Sequence, residues 1–298
     1  MVHLPREFPP ILVSKISQLI LGKFKIKKGE MIVFPNAKIN LGLNITEKRQ
    51  DGYHNILSCF YPVGWSDILE IIPAASFSFQ STGIDIPGDP ETNLVVKAFR
   101  LLKKDFNLPE VAIHLHKVIP IGAGLGGGSS DCAFAFKALN DLFELKMSSE
   151  KMQQYAQTLG SDCPFFIENK PLFVSGTGNQ FQATNLSLKG KYIILVYPEL
   201  HISTKEAYAG ITPKPLTDDP FVLLEGPVNQ WKGKLSNDFE ISLFPNYPFL
   251  EALKQKFYDQ GALYASMTGS GSTVFGIFEN KTTLNFPSQY TVWEGFLE

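Results

Sequence analysis

A chain of 298 residues, 44% hydrophobic and 19% charged, is long enough for one or two buried cores and has ordinary globular composition. A net charge of −2 gives no electrostatic ground for nucleic acid or an anionic membrane as the main partner. Cys59, Cys132 and Cys163 are widely spaced and form no C-x-x-C pair. That argues against a disulfide framework and a zinc site, and favours a reducing, cytoplasmic setting.

The first 30 residues stand apart. Ile11–Leu21 is apolar and Lys23–Lys28 is basic, but the charge follows the apolar run, the wrong order for a secretory signal. No apolar run reaches the ~18 residues of a membrane span. Residues 1–30 are expected to be a loose extension upstream of a natural start at Met31, with a basic surface helix as the alternative.

From Met31 the elements follow in order. Met31–Phe34 and Ile39–Ile45 read as strands around Pro35, and Asp51-Gly52 marks a hairpin turn within Lys48–His54. Ile68–Ile72 and Phe77–Phe79 read as further strands. Thr92 or Asn93 can cap a helix carrying Leu94, Ala98, Leu101 and Leu102 at helical spacing. Val111, Ile113 and Leu115 alternate with Ala112, His114 and His116, a half-buried strand with one wet face. The two histidines lack a third ligand and are expected at the surface. A mostly buried helix should carry Phe134, Phe136, Ala138, Leu139 and Leu142, with Lys137, Asn140, Asp141 and Glu144 on its polar stripe.

Ser148 caps a helix that Gly160 ends, and Ser161-Asp162-Cys163-Pro164 opens another. Tyr192–Tyr197 is an apolar strand. Ser203-Thr204-Lys205-Glu206 is a capping box, and Pro213–Pro227 a proline-rich connection. Leu263–Met267, the turn Thr268–Ser272 and Val274–Phe278 form a strand–turn–strand unit, and no final helix is evident after Phe278. Helices mixed with partly antiparallel strands make the class α+β.

The segment richest in chemistry is Pro120-Ile121-Gly122-Ala123-Gly124-Leu125-Gly126-Gly127-Gly128-Ser129-Ser130-Asp131. Few side chains leave backbone N–H groups bare, and the helix that follows favours negative charge at its start. Gly122, Gly124 and Gly127 satisfy G-x-G-x-x-G, but the strand before them alternates and ends in Pro120, unlike a Rossmann strand. The loop holds no lysine, so it is not a P-loop. A glycine cradle of another kind remains, with a flexible surface loop as the bland alternative.

Several separate segments converge on one family. The loop resembles the ATP-binding motif of the GHMP kinases (galactokinase, homoserine kinase, mevalonate kinase and relatives). Pro35-Asn36-Ala37-Lys38-Ile39-Asn40-Leu41 with Arg49-Gln50-Asp51-Gly52-Tyr53-His54 is similar to the branch that phosphorylates a cytidylated methylerythritol in the non-mevalonate isoprenoid route. Leu159–Phe166 and Met267–Gly271 match later motifs of that branch. The resemblance covers Met31 to the C-terminus. It implies two domains: 31–170, like the second domain of ribosomal protein S5, and 171–298, ferredoxin-like.

The resemblance also implies roles. Asp162 takes the proton of the attacking hydroxyl and Lys38 holds charge beside it. Pro120 to Ser130 bind ATP, with Gly122 to Ser130 wrapping its phosphates, and Asn93 lies near the adenosine. Asp131 reads as a helix N-terminal acid. Tyr53 and His54 address the cytosine, Tyr208 stacks on its other face, Thr204 lies nearby and Asn40 is closer to the sugar alcohol. Magnesium arrives with the nucleotide, and no metal ligand is assigned. Small molecules are the only expected partners, for a monomer or weak homodimer. Asn237-Asp238 recurs in the family without a chemical role. Two rivals stay open: a GHMP kinase acting on homoserine or mevalonate, and a nucleotide-binding protein that has lost catalysis.

Overall fold

The computed structural model describes residues 29–298 apart from 215, 217 and 218. The expectations for residues 1–28 lie outside the described residues. Strand β1 (Met31–Val33) is followed by a long hairpin, β2 (Asn36–Lys48) and β3 (His54–Ser66). The Asp51-Gly52 turn joins them as the sequence suggests. Sequence reading missed β3, because its thirteen residues place Pro62, Gly64 and several polar groups among the apolar ones.

β4 (Ile68–Pro73), β5 (Ser78–Gly83) and β6 (Val111–Lys117) join β1 in a sheet of order β1-β4-β6-β5. Only β5–β6 is parallel, and helix α1 (Leu94–Phe106) lies between them in the chain, capped by Asn93 accepting from Val95 N–H. The expected wet face of β6 is only partly wet. His116 is 5% exposed, and both His114 and His116 bond the hydroxyl of Thr82 on the neighbouring strand. Among the described residues, no group of three or more His, Cys, Asp or Glu is placed to hold a metal ion.

Helix α2 (Gly127–Leu142) buries Cys132, Ala135, Phe136 and Leu139 against α1, α3 (Ser149–Leu159) and α4 (Cys163–Glu168). Ser148 caps α3 by accepting from Lys151 N–H. β7 (Leu172–Ser175) and β8 (Gln180–Ala183) extend the hairpin into a sheet of order β2-β3-β7-β8.

The third sheet, of order β10-β11-β9-β12, is built from β9 (Tyr192–Tyr197), β10 (Tyr264–Met267), β11 (Val274–Phe278) and β12 (Thr291–Phe296). β12 adds an edge strand where the sequence offered no clear element. Helices α5 (Thr204–Ala209), α6 (Pro220–Leu224), α7 (Phe239–Leu243) and α8 (Pro248–Asp259) fill the remainder. α8 was not foreseen; Leu250, Leu253 and Phe257 form its buried stripe. A second core joins β2 and β3 to the third sheet through Ile39, Tyr61, Trp231, Tyr264 and Phe275. No described helix is long and apolar enough to cross a membrane.

Candidate active site

The glycine loop leaves β6 and enters α2. Gly122, Gly124 and Gly126 have φ of +65°, +81° and +71°, the left-handed region. At Gly124 the need for glycine is also steric, since a Cβ would come 2.0 Å from the carbonyl oxygen of Thr268. No side chain caps α2, whose N-cap is Gly126. Its first N–H groups are therefore available to an anion. A Cβ on Gly128 would meet nothing within 4 Å, so the cradle is open there.

Beside the loop is a cavity of about 710 Å³, a size that suits a small ligand. The loop from Pro120 to Ser129 lines it except at Leu125, together with Asn93, Asp162, His201 and Thr204. Leu125 and Ser130 are 1% and 0% exposed and turn into the protein, so those two of the expected ATP-binding residues offer no side chain to a ligand.

Asp162 lines this cavity, and Lys38 reaches it from behind the glycine loop. Lys38 is 3% exposed on β2. Its ammonium donates to Asn40 Oδ1 at 2.6 Å and to the Gly124 carbonyl at 3.0 Å, and lies 4.0 Å from Asp162 Oδ2. Burial lowers the Lys38 pKa and the Asp162 charge partly restores it. Asp162 occupies the N-cap position of α4 but makes no capping bond, and its side chain is 30% exposed. A carboxylate left out of its own helix cap is free for another partner.

Asn40 was expected near a substrate; it is 1% exposed. Its amide donates to Ser58 at 3.0 Å, while Oδ1 accepts from Lys38, from Gly269 N–H at 2.9 Å and from the Thr268 hydroxyl at 3.2 Å. With those bonds made, Asn40 orients Lys38 from behind.

The aromatic residues gather outside the loop cavity. His54 and Tyr208 stack with centroids 4.7 Å apart and planes 22° apart. Tyr208 also packs edge-on against Phe239 at 4.8 Å. Burial raises the Tyr208 hydroxyl, as does the nearby Asp162 charge. Burial, then Lys48, lowers the His54 pKa and favours its neutral ring. Tyr53 is 67% exposed in the hairpin turn. Ser203 caps α5 by accepting from Glu206 N–H, as the capping box implies, and Thr204 next to it lines the cavity.

Three features escaped sequence reading. Asp131, read as a helix N-terminal acid, is buried in α2 and pairs with Lys117. His201 lies over the loop, 2.6 Å from where a Cβ on Gly122 would sit. Asn237 donates to the carbonyls of Met267 and Gly269, and Asp238 accepts from Ile45 N–H, so this pair clasps the Thr268 turn to β2. Such contacts join residues far apart in the chain and leave no local pattern.

Residues 93–170 match the family described as GHMP kinases N terminal domain, and residues 225–286 match GHMP kinases C terminal. A 4-diphosphocytidyl-2-C-methyl-D-erythritol kinase of Cytophaga hutchinsonii is 53% identical over 84% of this chain and 93% of its own length. One from Bacteroides thetaiotaomicron is 54% identical over 85% of this chain and 94% of its own. A crystal structure of 4-(cytidine 5'-diphospho)-2C-methyl-D-erythritol kinase is 30% identical with a TM-score of 0.72, covering 84% of this chain and 91% of that one. The chain belongs to the GHMP kinases and, within them, to the 4-diphosphocytidyl-2-C-methyl-D-erythritol kinase family.

Proposed function

We propose that the protein transfers the γ-phosphoryl group of ATP to the 2-hydroxyl of 4-diphosphocytidyl-2-C-methyl-D-erythritol, in the non-mevalonate isoprenoid route. The observation that carries this reading is the Lys38–Asp162 pair at the lip of the glycine loop. Phosphoryl transfer asks for alignment and charge stabilisation more than covalent help. Asp162 accepts the hydroxyl proton as the oxygen attacks. Lys38 holds positive charge beside Asp162 and offsets charge growing on the transferred group. The backbone N–H groups of the loop and of the first turn of α2 hold the phosphates, and Asn93 stands at the nucleoside end of the cavity. Magnesium comes with the nucleotide, held by phosphate oxygens and water.

Cytosine recognition falls to His54, Tyr208 and Tyr53. A neutral His54 can donate or accept at the edge of the base, and an exposed Tyr53 can fold over its face. In the closed stack of His54 on Tyr208 there is no room for a ring between them, so the base displaces one of the two. Thr204 lines the shared wall. The expected division of the chain at residue 170 moves in this reading to the end of β8, because β7 and β8 complete the sheet of β2 and β3. The two units are then 31–183 and 184–298.

The test is an ADP-release assay in which ATP is offered with the cytidylated methylerythritol, homoserine or mevalonate. Turnover confined to the first substrate supports the reading. Preference for either of the others replaces it, and nucleotide binding without ADP release from any would mark a silent binding protein.

A further inference from the structure

Beneath the glycine loop lies a charge cluster that the transfer scheme leaves unused. Lys117, at the end of β6, donates to Asp67 and, at 2.8 Å, to Oδ2 of Asp131 on α2. The side chains of Lys117, Asp67 and Asp131 are 3%, 0% and 4% exposed. The ammonium touches the loop itself, since a Cβ on Gly127 would come 2.9 Å from Nζ. Lys117, Gly127 and Asp131 all line the nucleotide cavity.

The two carboxylates are not equivalent. Asp67 accepts from the N–H groups of Val118 and Ile119, at 2.6 Å and 2.8 Å, besides Lys117. Asp131 accepts from Lys117 through Oδ2, but its Oδ1 is buried without a hydrogen-bond partner. With both ionised, two negative charges share one ammonium in a closed site, beside the place where phosphates arrive. A half-bonded buried carboxylate is costly. A proton on Asp131 cancels the surplus charge and lets the two carboxyl groups share a hydrogen bond instead of repelling.

We infer that Asp131 is a positioning residue for the nucleotide, and that it takes up a proton when a triphosphate fills the cavity, leaving Lys117 and Asp67 as a neutral pair under Gly127. The inference rests on reading the cavity as the ATP site. Its direction follows from like charges, because phosphates beside Asp131 favour the neutral acid. Burial pushes the Asp131 carboxyl up to about 8, with Lys117 opposing and Asp67 reinforcing, so in the free protein the proton is partly bound near that pH. Burial acts to lower Lys117, but Asp131 and Asp67 together raise it, and it stays charged. The neighbouring Cys132 thiol on α2 feels the Asp131 charge and is bonded to Cys163 on α4. Cys132 is pushed up by its bond with Cys163 and by burial, whereas Cys163 is drawn down by the same bond. Lys38 and Asp162 stand by the adjacent Gly126, whose Cβ would lie 3.3 Å from Lys38 Cε.

Titration calorimetry with the magnesium complex of a non-hydrolysable ATP analogue tests this. Run at pH 8 in buffers of different ionisation enthalpy, it counts the protons bound with the nucleotide. The wild type should take up about half a proton more than Asp131→Asn. Equal counts in the two proteins overturn the inference. So does a magnesium-dependent proton release seen in the wild type and absent from the variant, which would make Asp131 a cation ligand. Should the variant not fold, the wild-type profile decides: uptake that peaks between pH 8 and 9 supports the inference, and no uptake from pH 7 to 9.5 overturns it. If no nucleotide binds at any pH, the reading of the cavity has failed and takes the inference with it, a result distinct from binding without a linked proton.

Discussion

Nζ of Lys38 lies 4.0 Å from Oδ2 of Asp162, a lysine on the second strand facing an aspartate at the mouth of the fourth helix. Removing either charge should stop transfer without unfolding the protein. Lys38→Met and Asp162→Asn are each expected to lower kcat at least ~10²-fold, with circular dichroism unchanged. Near-wild-type turnover in a purified variant would take that residue out of the mechanism. The pair works only while Lys38 is charged, and burial lowers its pKa. The alkaline limb of kcat should therefore fall below the ordinary lysine value of ~10.4.

The stacked rings of His54 and Tyr208 make a separate prediction about affinity. His54→Ala and Tyr208→Ala should each raise KM for the cytidylated substrate by roughly 5- to 150-fold, given ~1–3 kcal/mol for a stacked base. KM for ATP should stay within about twofold, because neither ring lines the loop cavity. Equal effects on both substrates would contradict base recognition at this place.

Two glycines of the loop should respond in opposite ways. Gly124→Ala forces a methyl to 2.0 Å from the Thr268 oxygen at a φ of +81°. It should cost about 2 kcal/mol or more, read as a fall in Tm, and abolish nucleotide binding. Gly128→Ala meets nothing within 4 Å and sits in a helical turn. Its Tm should hold or rise slightly, while the added methyl in the cradle raises KM for ATP several-fold.

Asp131 also ties stability to pH. In the fold its pKa is about 8, raised chiefly by burial, whereas an unfolded aspartate titrates near ~3.9. Between those values the folded state binds more protons, so wild-type stability declines as pH rises. Asp131→Asn lacks this proton. Its Tm relative to wild type should climb by several degrees from pH 5 to pH 8, since ~1 kcal/mol moves Tm by about 2–4 °C at this size. A constant difference would show that Asp131 is ionised throughout.

What the sequence conveyed was local. The Asp51-Gly52 turn, the Asn93 and Ser148 caps and the glycine loop each announce themselves within a few residues, and each stands where it was expected. Lys38 and Asp162 stand out in the sequence only through the family resemblance, because a lone lysine and a lone aspartate carry no signal of meeting. The long strand β3 was hidden by Pro62 and Gly64. The pairing of Asp131 was hidden because its partner Lys117 comes from another element. The bonds of Asn40 reach forward to Thr268 and Gly269, which no local pattern announces. Polar residues whose partners lie far along the chain show their type in sequence, and only the fold shows whether they face a ligand or one another.

Thr268 holds Gly124 from one side and Asn40 from the other. Synthesis runs from the N-terminus, so the ribosome has made the whole phosphate loop long before Thr268 emerges. Until then Gly124 and Asn40 lack the hydroxyl that fastens them together. The growing chain thus gains its grip on nucleotide late, and a fragment ending before the β10–β11 turn should fail to hold ATP even if its first core has already packed.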